Sequence, residues 1–246
     1  MYAAGSLQHC EGRQAVVGII GGMGPAATAD LMQRVIAATP AKDDVDHIHM
    51  LIDNNPKVPS RIKALIEGTG PSPLEMLQAM ARNLEAQGAA FLAMPCNTAH
   101  HYHAELASAV GIPFLNIMEL AVDQVLAAQP GIKRVGLLAS SALKKIALYE
   151  PWFEQRDVQL VYPRPQKQEA LMRLIGAVKA NANDETQYRA LLDAAEDLKS
   201  AGAQCLLIAC TELSVIGRQL ESSLPCYDAA DILAQAIVVR VLGSPG

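Results

Sequence analysis

The sequence predicts an α/β protein made of two similar parallel-sheet halves related by an approximate twofold axis. Three observations lead to this prediction. Short apolar strands alternate with amphipathic helices, the second half repeats motifs of the first, and the composition is 51% hydrophobic but only 4% aromatic. Strand–helix alternation at this spacing is typical of a parallel sheet covered by helices on both faces. At 246 residues, the chain is long enough for two compact domains.

In the first half, a glycine-rich turn after the first strand leads into a predicted helix over residues 25–38, whose first turn suits Pro25. Apolar residues at three- and four-residue spacing predict a second helix over residues 72–87, with Ser72 and Glu75 as a capping box. Short apolar runs predict strands in both halves. These strands are at residues 15–20, 47–52, 90–94, 112–115, 134–139, 158–162 and 205–209.

The internal repeat is the most informative feature of the chain. LEAQGAAFLAMPCNT (84–98) aligns with LKSAGAQCLLIACTE (198–212) at a constant shift of 114 residues, so that Cys96 matches Cys210. Two further pairs of segments occur in the same order, so we infer two halves of like topology. These pairs are VVGIIGG (16–22) with RVGLLAS (134–140), and IPF (112–114) with LPCY (224–227).

Charge and composition exclude several classes of protein. Twenty basic and twenty-five acidic residues give a formal charge of −5, so no nucleic-acid partner is expected. No apolar run is long enough for a membrane span, so no membrane partner is expected either. Residues 1–14 lack a secretory pattern and are expected to be an extension or a tag remnant. Five cysteines without a CxxC pair predict reduced thiols in a cytoplasmic protein.

Cys96 and Cys210 each follow an apolar strand and precede a helix. Ligands of parallel sheets bind beyond the carboxyl ends of the strands, and helix N-termini favour thiolate. If the halves face each other, the two thiols should enter one cleft from opposite sides. Two equivalent acid/base groups suit a reaction that removes a proton from one face of a carbon and returns one to the other face.

Two weaker motifs point elsewhere. Gly22-x-Gly24-x-x-Ala27 fits a loose dinucleotide fingerprint, but a glycine turn that lets a substrate approach the backbone explains it better. His100, His101 and His103 beside Cys96 could suggest zinc or a cysteine hydrolase, and on a helix His100 and His103 would share one face. No further cluster completes such a site, so the histidines are interpreted as solvated or cleft-lining, and neither metal nor cofactor is expected.

The combined motifs PCNTAH (95–100), CTEL (210–213) and GGMGPAAT (21–28) resemble the aspartate/glutamate racemase family of cofactor-independent amino-acid racemases, from about Val16 to Leu242. The resemblance implies two flavodoxin-like domains with the active site in the cleft between them, and commonly a homodimer. It places the C-terminal segment on the first domain. The expected domains are therefore residues 15–117 with 220–246, and residues 118–219.

The same resemblance implies roles for individual residues. Cys96 and Cys210 become the acid/base pair. The other implied residues bind the amino-acid substrate: donors to its α-carboxylate (Asn97, Thr98 and Thr211), cations for a distal carboxylate (Arg61 and Lys179), and further contacts from Met23, Asn55 and Ser141.

The chain departs from the family pattern at two positions. Ser60 replaces the aspartate that usually precedes the arginine, which leaves Arg61 without a neighbouring carboxylate. Leu143 replaces a threonine expected near the substrate carboxylate, and Ser140 or Ser141 is then the nearest hydroxyl that could compensate.

The leading functional hypothesis is a racemase that interconverts L- and D-aspartate, or a closely related acidic amino acid, without pyridoxal phosphate. A same-superfamily isomerase or decarboxylase of another small dicarboxylate, such as maleate, is the alternative. A third hypothesis is a non-catalytic dicarboxylate-binding protein, for which the lost hydroxyl at Leu143 is the motive.

Overall fold

The computed structural model describes residues 15–182, 185–217, 220 and 222–243. The predicted extension at residues 1–14 lies outside the described residues. Strands and helices alternate along the chain. In order they are β1 (Val17–Gly21), α1 (Pro25–Ala38), β2 (Met50–Asn54), α2 (Leu74–Ala86), β3 (Phe91–Ala93), α3 (His103–Ala107), α4 (Ile117–Ala128), β4 (Arg134–Leu138), α5 (Ser141–Lys145), α6 (Glu150–Glu154), β5 (Gln159–Val161), α7 (Pro165–Lys179), α8 (Glu185–Ser200), β6 (Cys205–Ile208), α9 (Thr211–Gly217), β7 (Cys226–Asp228) and α10 (Ala229–Leu242).

Within the part of the chain that the structure describes, the strands form two sheets in which every pairing is parallel. The first sheet has the order β2-β1-β3 and the second has the order β5-β4-β6-β7. β1 and β4 are central in their sheets, and both are almost entirely buried, which explains why they read as continuous apolar runs. The predicted α/β class with two parallel-sheet halves is therefore confirmed.

The sequence repeat is visible in equivalent backbone hydrogen bonds. The amide of Leu92 in β3 donates to the carbonyl of Pro113 at 2.8 Å, and the amide of Leu206 in β6 donates to Pro225 at the same distance. In the second sheet this contact continues into β7. In the first sheet it stops at a single bridge between Leu92 and Phe114, so the predicted strand at 112–115 is wrong as a full strand. β7 was not predicted.

The start of α2 also differs from the prediction. Pro73 occupies the N-cap position, and no side chain caps the helix. The hydroxyl of Ser72 instead accepts a hydrogen bond from the amide of Leu74 at 3.2 Å. The predicted capping box of Ser72 and Glu75 is therefore wrong, because the helix begins two residues later than its apolar pattern suggests.

The described residues form three apolar core clusters. The largest contains side chains of both sheets, such as Ile19 of β1 and Leu137 of β4, together with Leu233 of α10. A second cluster joins the first sheet to α2 and α3, and a third joins the second sheet to α7 and α8. The largest cluster is called the shared core, because both sheets contribute to it. Within it, α10 packs against α1 and α4 and so joins the two halves.

The C-terminal segment belongs partly to each half. β7 pairs with β6 in the second sheet, whereas α10 packs against α1 and α4. The domain limits stated above stay a prediction. Among the described residues, no helix is long and apolar enough to span a membrane.

Candidate active site

Both repeated cysteines lie at the carboxyl ends of strands and line the same cavity. Cys96 follows β3 and precedes a single 3-10 turn at Thr98–Tyr102, and Cys210 stands directly before α9. Each residue is 6% exposed. The cavity between them has a volume of about 50 Å³. The fold therefore brings the two thiols into one cleft, as the repeat predicts.

The cavity opens beside a larger pocket of about 260 Å³. The two spaces share four polar or charged side chains from the two halves, whereas the rest of the larger pocket is mostly apolar. The residues common to both are Met23, Ser60, Arg61, Lys179 and Glu212. The smaller cavity is completed by Ile62, Thr98, Ser140 and Ile175.

Glu212 is the nearest charged partner of Cys210. The sulfur Sγ lies 3.2 Å from Oε2 of this carboxylate, close enough for the thiol to donate to it. Burial raises the pKa of the Cys210 thiol well above its usual value, and the negative charge of Glu212 raises it further, while Lys179 acts in the opposite direction. In this arrangement Cys210 is a protonated thiol, the form that can give a proton to a carbanion.

The two predicted cations approach the cavity from different halves. Lys179, the last residue of α7, has its Nζ atom 3.5 Å from Oε1 of Glu212. The Arg61 guanidinium donates from Nη1 to the carbonyls of Val58 (3.4 Å) and Pro59 (3.0 Å), and its buried Nε has no partner among the described residues. Main-chain carbonyls thus orient Arg61, which has serine and not aspartate at the preceding position.

The residues after the cysteines hold the two halves together. The Thr211 hydroxyl donates to the carbonyl of Pro95 at 3.1 Å. Its hydrogen is therefore bound to the main chain of the other half and is not free to bind a ligand. The amide oxygen of Asn97 accepts a hydrogen bond from the hydroxyl of Tyr149 at 2.6 Å. Thr98 lines the cavity directly. Of these three predicted carboxylate donors, Thr211 therefore retains only its backbone amide for a ligand.

Ser140, rather than Ser141, presents a hydroxyl to the cavity. Its Oγ atom is buried and has no hydrogen-bond partner among the described residues. The backbone amide of Ser141 instead lies 3.2 Å from the sulfur of Met172, and Ser141 is not among the cavity-lining residues. Leu143 is 1% exposed and belongs to the shared core, so the expectation that it faces the substrate carboxylate is wrong. The single-turn helix α5 directs Leu143 inward.

Of the two remaining predicted contacts, Met23 and Asn55, only Met23 lines the cavity. Met23 is buried and lines both spaces. Asn55 lines neither: its amide oxygen accepts from the Lys57 backbone amide at 3.0 Å, and its Nδ2 lies 3.6 Å from the sulfur of Met76. The main chain of Asn55 is nevertheless close to the site, because it packs against Gly22, which lines the larger pocket. A Cβ atom on Gly22 (φ +90°) would lie only 2.2 Å from the Asn55 carbonyl group.

His100 is buried and is neither solvated nor cleft-lining, in contrast to the expectation. Its Nε2 accepts from the Ile117 amide at 3.3 Å, which leaves Nδ1–H to donate to the carbonyl of Cys96 at 2.9 Å. Burial lowers the pKa of His100 to about 4, so the ring is neutral. The His100 and His103 rings stack with 5.7 Å between centroids, which confirms that they share a face. Among the described residues, no group of three or more His, Cys, Asp or Glu side chains could hold a metal ion.

Ser214 occupies the position equivalent to His100 in the second half. Its hydroxyl lies 3.4 Å from the carbonyl of Cys210 and 2.6 Å from Oδ1 of Asp228, which also caps α10. The carbonyl of Ser214 accepts from Arg34 of α1, and Arg34 pairs with Asp228 as well. The Cys96 loop is thus supported by a neutral ring, and the Cys210 loop by a buried ion network.

Sequence reasoning missed two residues of this site, Glu212 and Tyr149. The sequence contains a signal for Glu212. Two residues after the repeated cysteine, the first half has Thr98 and the second half has this carboxylate, so the repeat is broken at a position next to the site. No local pattern marks Tyr149, whose partner Asn97 is 52 residues away in the sequence.

The chain is similar to known amino-acid racemases over almost its whole length. A curated relative, the broad specificity amino-acid racemase RacX of Bacillus subtilis (strain 168), is 28% identical over 240 residues, which cover 92% of this chain and 98% of that protein. The solved structure of Picrophilus torridus aspartate racemase is 30% identical, with a TM-score of 0.82 and coverage of 92% and 93% of the two chains.

A third comparison supports the fold alone. An aspartate racemase homologue from Pyrococcus horikoshii OT3 is 23% identical with a TM-score of 0.70, over 90% of this chain and 96% of the other.

Residues 20–237 match the family described as Asp/Glu/Hydantoin racemase. With its repeated cysteines at the ends of two parallel sheets, the chain belongs to the Asp/Glu/Hydantoin racemase family.

Proposed function

We propose that this chain racemises an acidic amino acid, with aspartate as the first candidate, by proton transfer between Cα and the two thiols of Cys96 and Cys210. One observation supports the proposal most: two buried cysteines from equivalent positions of the two halves line one cavity. Two groups of equal chemistry on opposite sides of a carbon are what inversion by proton exchange requires.

In this proposal, one cysteine acts as thiolate and removes the Cα proton, and the other acts as thiol and delivers a proton to the opposite face. The reverse reaction exchanges the two roles. The electron pair left on Cα spreads into the α-carboxylate, so donors around that group stabilise the transition state. The hydroxyls of Ser140 and Thr98 line the cavity, and the buried, unpartnered Nδ2 of Asn97 stands between two cavity-lining residues; these are the groups proposed for this task.

Arg61 and Lys179 are proposed to bind the distal carboxylate of the substrate. Both line the cavity and the adjoining pocket, and a guanidinium or ammonium beside a carboxylate gives a charge-assisted hydrogen bond. Lys179 is partly neutralised by Glu212, so Arg61 carries more of this selection. A wider range of amino acids is the second candidate, favoured by that pairing and by the similarity to a broad-specificity racemase.

The test is turnover of L- and D-aspartate in deuterium oxide, by protein dialysed without added pyridoxal phosphate. Circular dichroism measures inversion, and proton NMR measures loss of the Cα proton. We expect Cys96→Ala and Cys210→Ala each to abolish inversion, because neither thiol can serve both faces. Cys226→Ala, which changes an exposed cysteine outside the cavity, is the matched control and should retain activity. Near-normal inversion by either site variant would overturn the two-cysteine mechanism.

A further inference from the structure

Tyr149 reaches the cysteine loop of the first half from the second half of the chain. It stands directly before α6, its side chain is fully buried, and its ring lies 6.4 Å from that of Phe153. Its hydroxyl is 2.6 Å from Oδ1 of Asn97, the residue that follows Cys96. The ring is thus held by the core while the hydroxyl touches one side-chain oxygen of the candidate site.

The direction of this hydrogen bond is fixed by chemistry. An amide oxygen can only accept, so the tyrosine hydroxyl must donate. Burial raises the pKa of the Tyr149 hydroxyl above its usual range, and the charge of Asp228 acts in the same direction, so the hydroxyl remains protonated at every working pH. Tyr149 is therefore a constant donor to Asn97.

The other end of the Asn97 side chain has no partner. The residue is 3% exposed, and its Nδ2 is buried without a hydrogen bond among the described residues. An unpaired buried N–H₂ costs free energy unless a ligand satisfies it. Its neighbours on both sides, Cys96 and Thr98, line the cavity.

We propose that Tyr149 is a positioning residue that fixes the Asn97 amide with its oxygen in the core and its N–H₂ group available to the substrate carboxylate. This inference rests on the proposed function, and it adds a residue that does not line the cavity. Without the Tyr149 hydroxyl the amide can turn over, and an oxygen would then face an anionic oxygen where a donor is needed.

Tyr149→Phe removes the hydroxyl and keeps the ring in the core. We expect kcat to fall about three- to tenfold, the range of one ordinary hydrogen bond, with a smaller change in KM because charge on the carboxylate grows in the transition state. Tyr162→Phe is the matched control, since the Tyr162 hydroxyl donates to Glu150 outside the cavity and its removal should leave kcat unchanged.

A double-mutant cycle separates positioning from core packing. If Tyr149 acts through Asn97, Tyr149→Phe should lower kcat in the natural background but cause little further loss in Asn97→Ala. An equal loss in both backgrounds, or an unchanged kcat in the single variant, would overturn the proposal.

A readout independent of turnover keeps this inference distinct from the proposed function. The side-chain N–H₂ signal of Asn97 in a nitrogen–proton NMR spectrum is identified by its absence in Asn97→Ala. We expect added aspartate to move this signal in the natural protein and to move it less in Tyr149→Phe. If the protein inverts no amino acid but this response is present, the racemase proposal fails and the positioning role stands. If both proteins respond equally to aspartate, the positioning role fails.

Discussion

Glu212 lies two residues after Cys210 with its Oε2 atom 3.2 Å from the Cys210 sulfur, whereas the equivalent position after Cys96 is Thr98. Both side chains line the cavity, but only one is charged. The two thiols of a pseudosymmetric site therefore have unequal electrostatic surroundings. Cys210 has a carboxylate that disfavours its thiolate, and Cys96 has a hydroxyl at the same place.

The first prediction concerns this carboxylate. Glu212→Gln removes a negative charge from beside the thiol, so the pKa of Cys210 should fall. Alkylation by iodoacetamide, followed for each cysteine by mass spectrometry as a function of pH, measures the shift. We also expect kcat to fall about ten- to a hundredfold, the range of one hydrogen bond to a charged group. Glu150→Gln, whose side chain lines a different pocket, is the control, and an unshifted Cys210 profile in Glu212→Gln would contradict the argument.

The second prediction concerns substrate selection by Arg61. Arg61→Met removes the guanidinium from a half-buried position that has no neighbouring aspartate, because residue 60 is serine. Loss of a charge partner for a desolvated carboxylate costs about 2–5 kcal/mol, so kcat/KM for aspartate should fall roughly thirtyfold or more. The value for alanine should change little. Lys63→Met changes an exposed cation nearby and should preserve both values; equal losses for aspartate and alanine would make Arg61 structural.

The third prediction separates Ser140 from its neighbours in α5. The buried, unpartnered hydroxyl of Ser140 lines the cavity, so Ser140→Ala should lower kcat, by roughly a hundredfold if it is one oxyanion donor. Ser141→Ala should have little effect, and rate measurements on the pair decide between them. If Ser141→Ala were the more damaging change, our placement of the hydroxyl would be wrong.

The fourth prediction follows from the burial of Leu143. Leu143→Thr places a hydroxyl in the shared core, which costs about 1–3 kcal/mol, and it does not add a donor to the cavity. We therefore expect a lower free energy of unfolding in urea and no gain in aspartate turnover. A variant that is as stable as the natural protein and turns over aspartate faster would show that residue 143 faces the substrate after all.

The fifth prediction is a pH dependence of stability that comes from His100. Its pKa is about 4 when folded and near 6.5 when unfolded, so the unfolded chain binds the extra proton between these values. Stability from this group is complete above pH 6.5 and is lost as the pH falls towards 4, by about 2 kcal/mol at pH 5. Urea unfolding should show this loss in the natural protein and in the exposed-residue control His101→Asn. It should be absent from His100→Asn, and a loss that persists there would belong to other groups.

The sequence was sufficient to predict what depends on periodicity and repetition. α1 has the predicted bounds of 25–38. Both signals that predict this helix, its residue pattern and Pro25 in its first turn, depend only on residues of the helix itself. Cys96 and Cys210 could be predicted to meet because the repeat relates them and parallel strands end at one edge of each sheet. The repeat also aligned the segments that contain Pro113 and Pro225, but it did not predict their equivalent backbone contacts or that only the second segment continues into a strand.

Side-chain direction in short segments could not be predicted. α5 has five residues, too few for a periodic pattern, so nothing in the sequence distinguishes the inward Leu143 from the cavity-facing Ser140. Long-range partners were equally inaccessible. Tyr149 reads as one more aromatic core residue, and its role depends on a contact with Asn97 that only the docking of the two halves creates.

The hydrogen bond from the Thr211 hydroxyl to the Pro95 carbonyl links the two cysteine loops directly. Together with the bond between Tyr149 and Asn97, it means that each loop takes part of its shape from the other half. The two loops are therefore completed only where the halves meet, so any shift of one half against the other changes the surroundings of both cysteines at once.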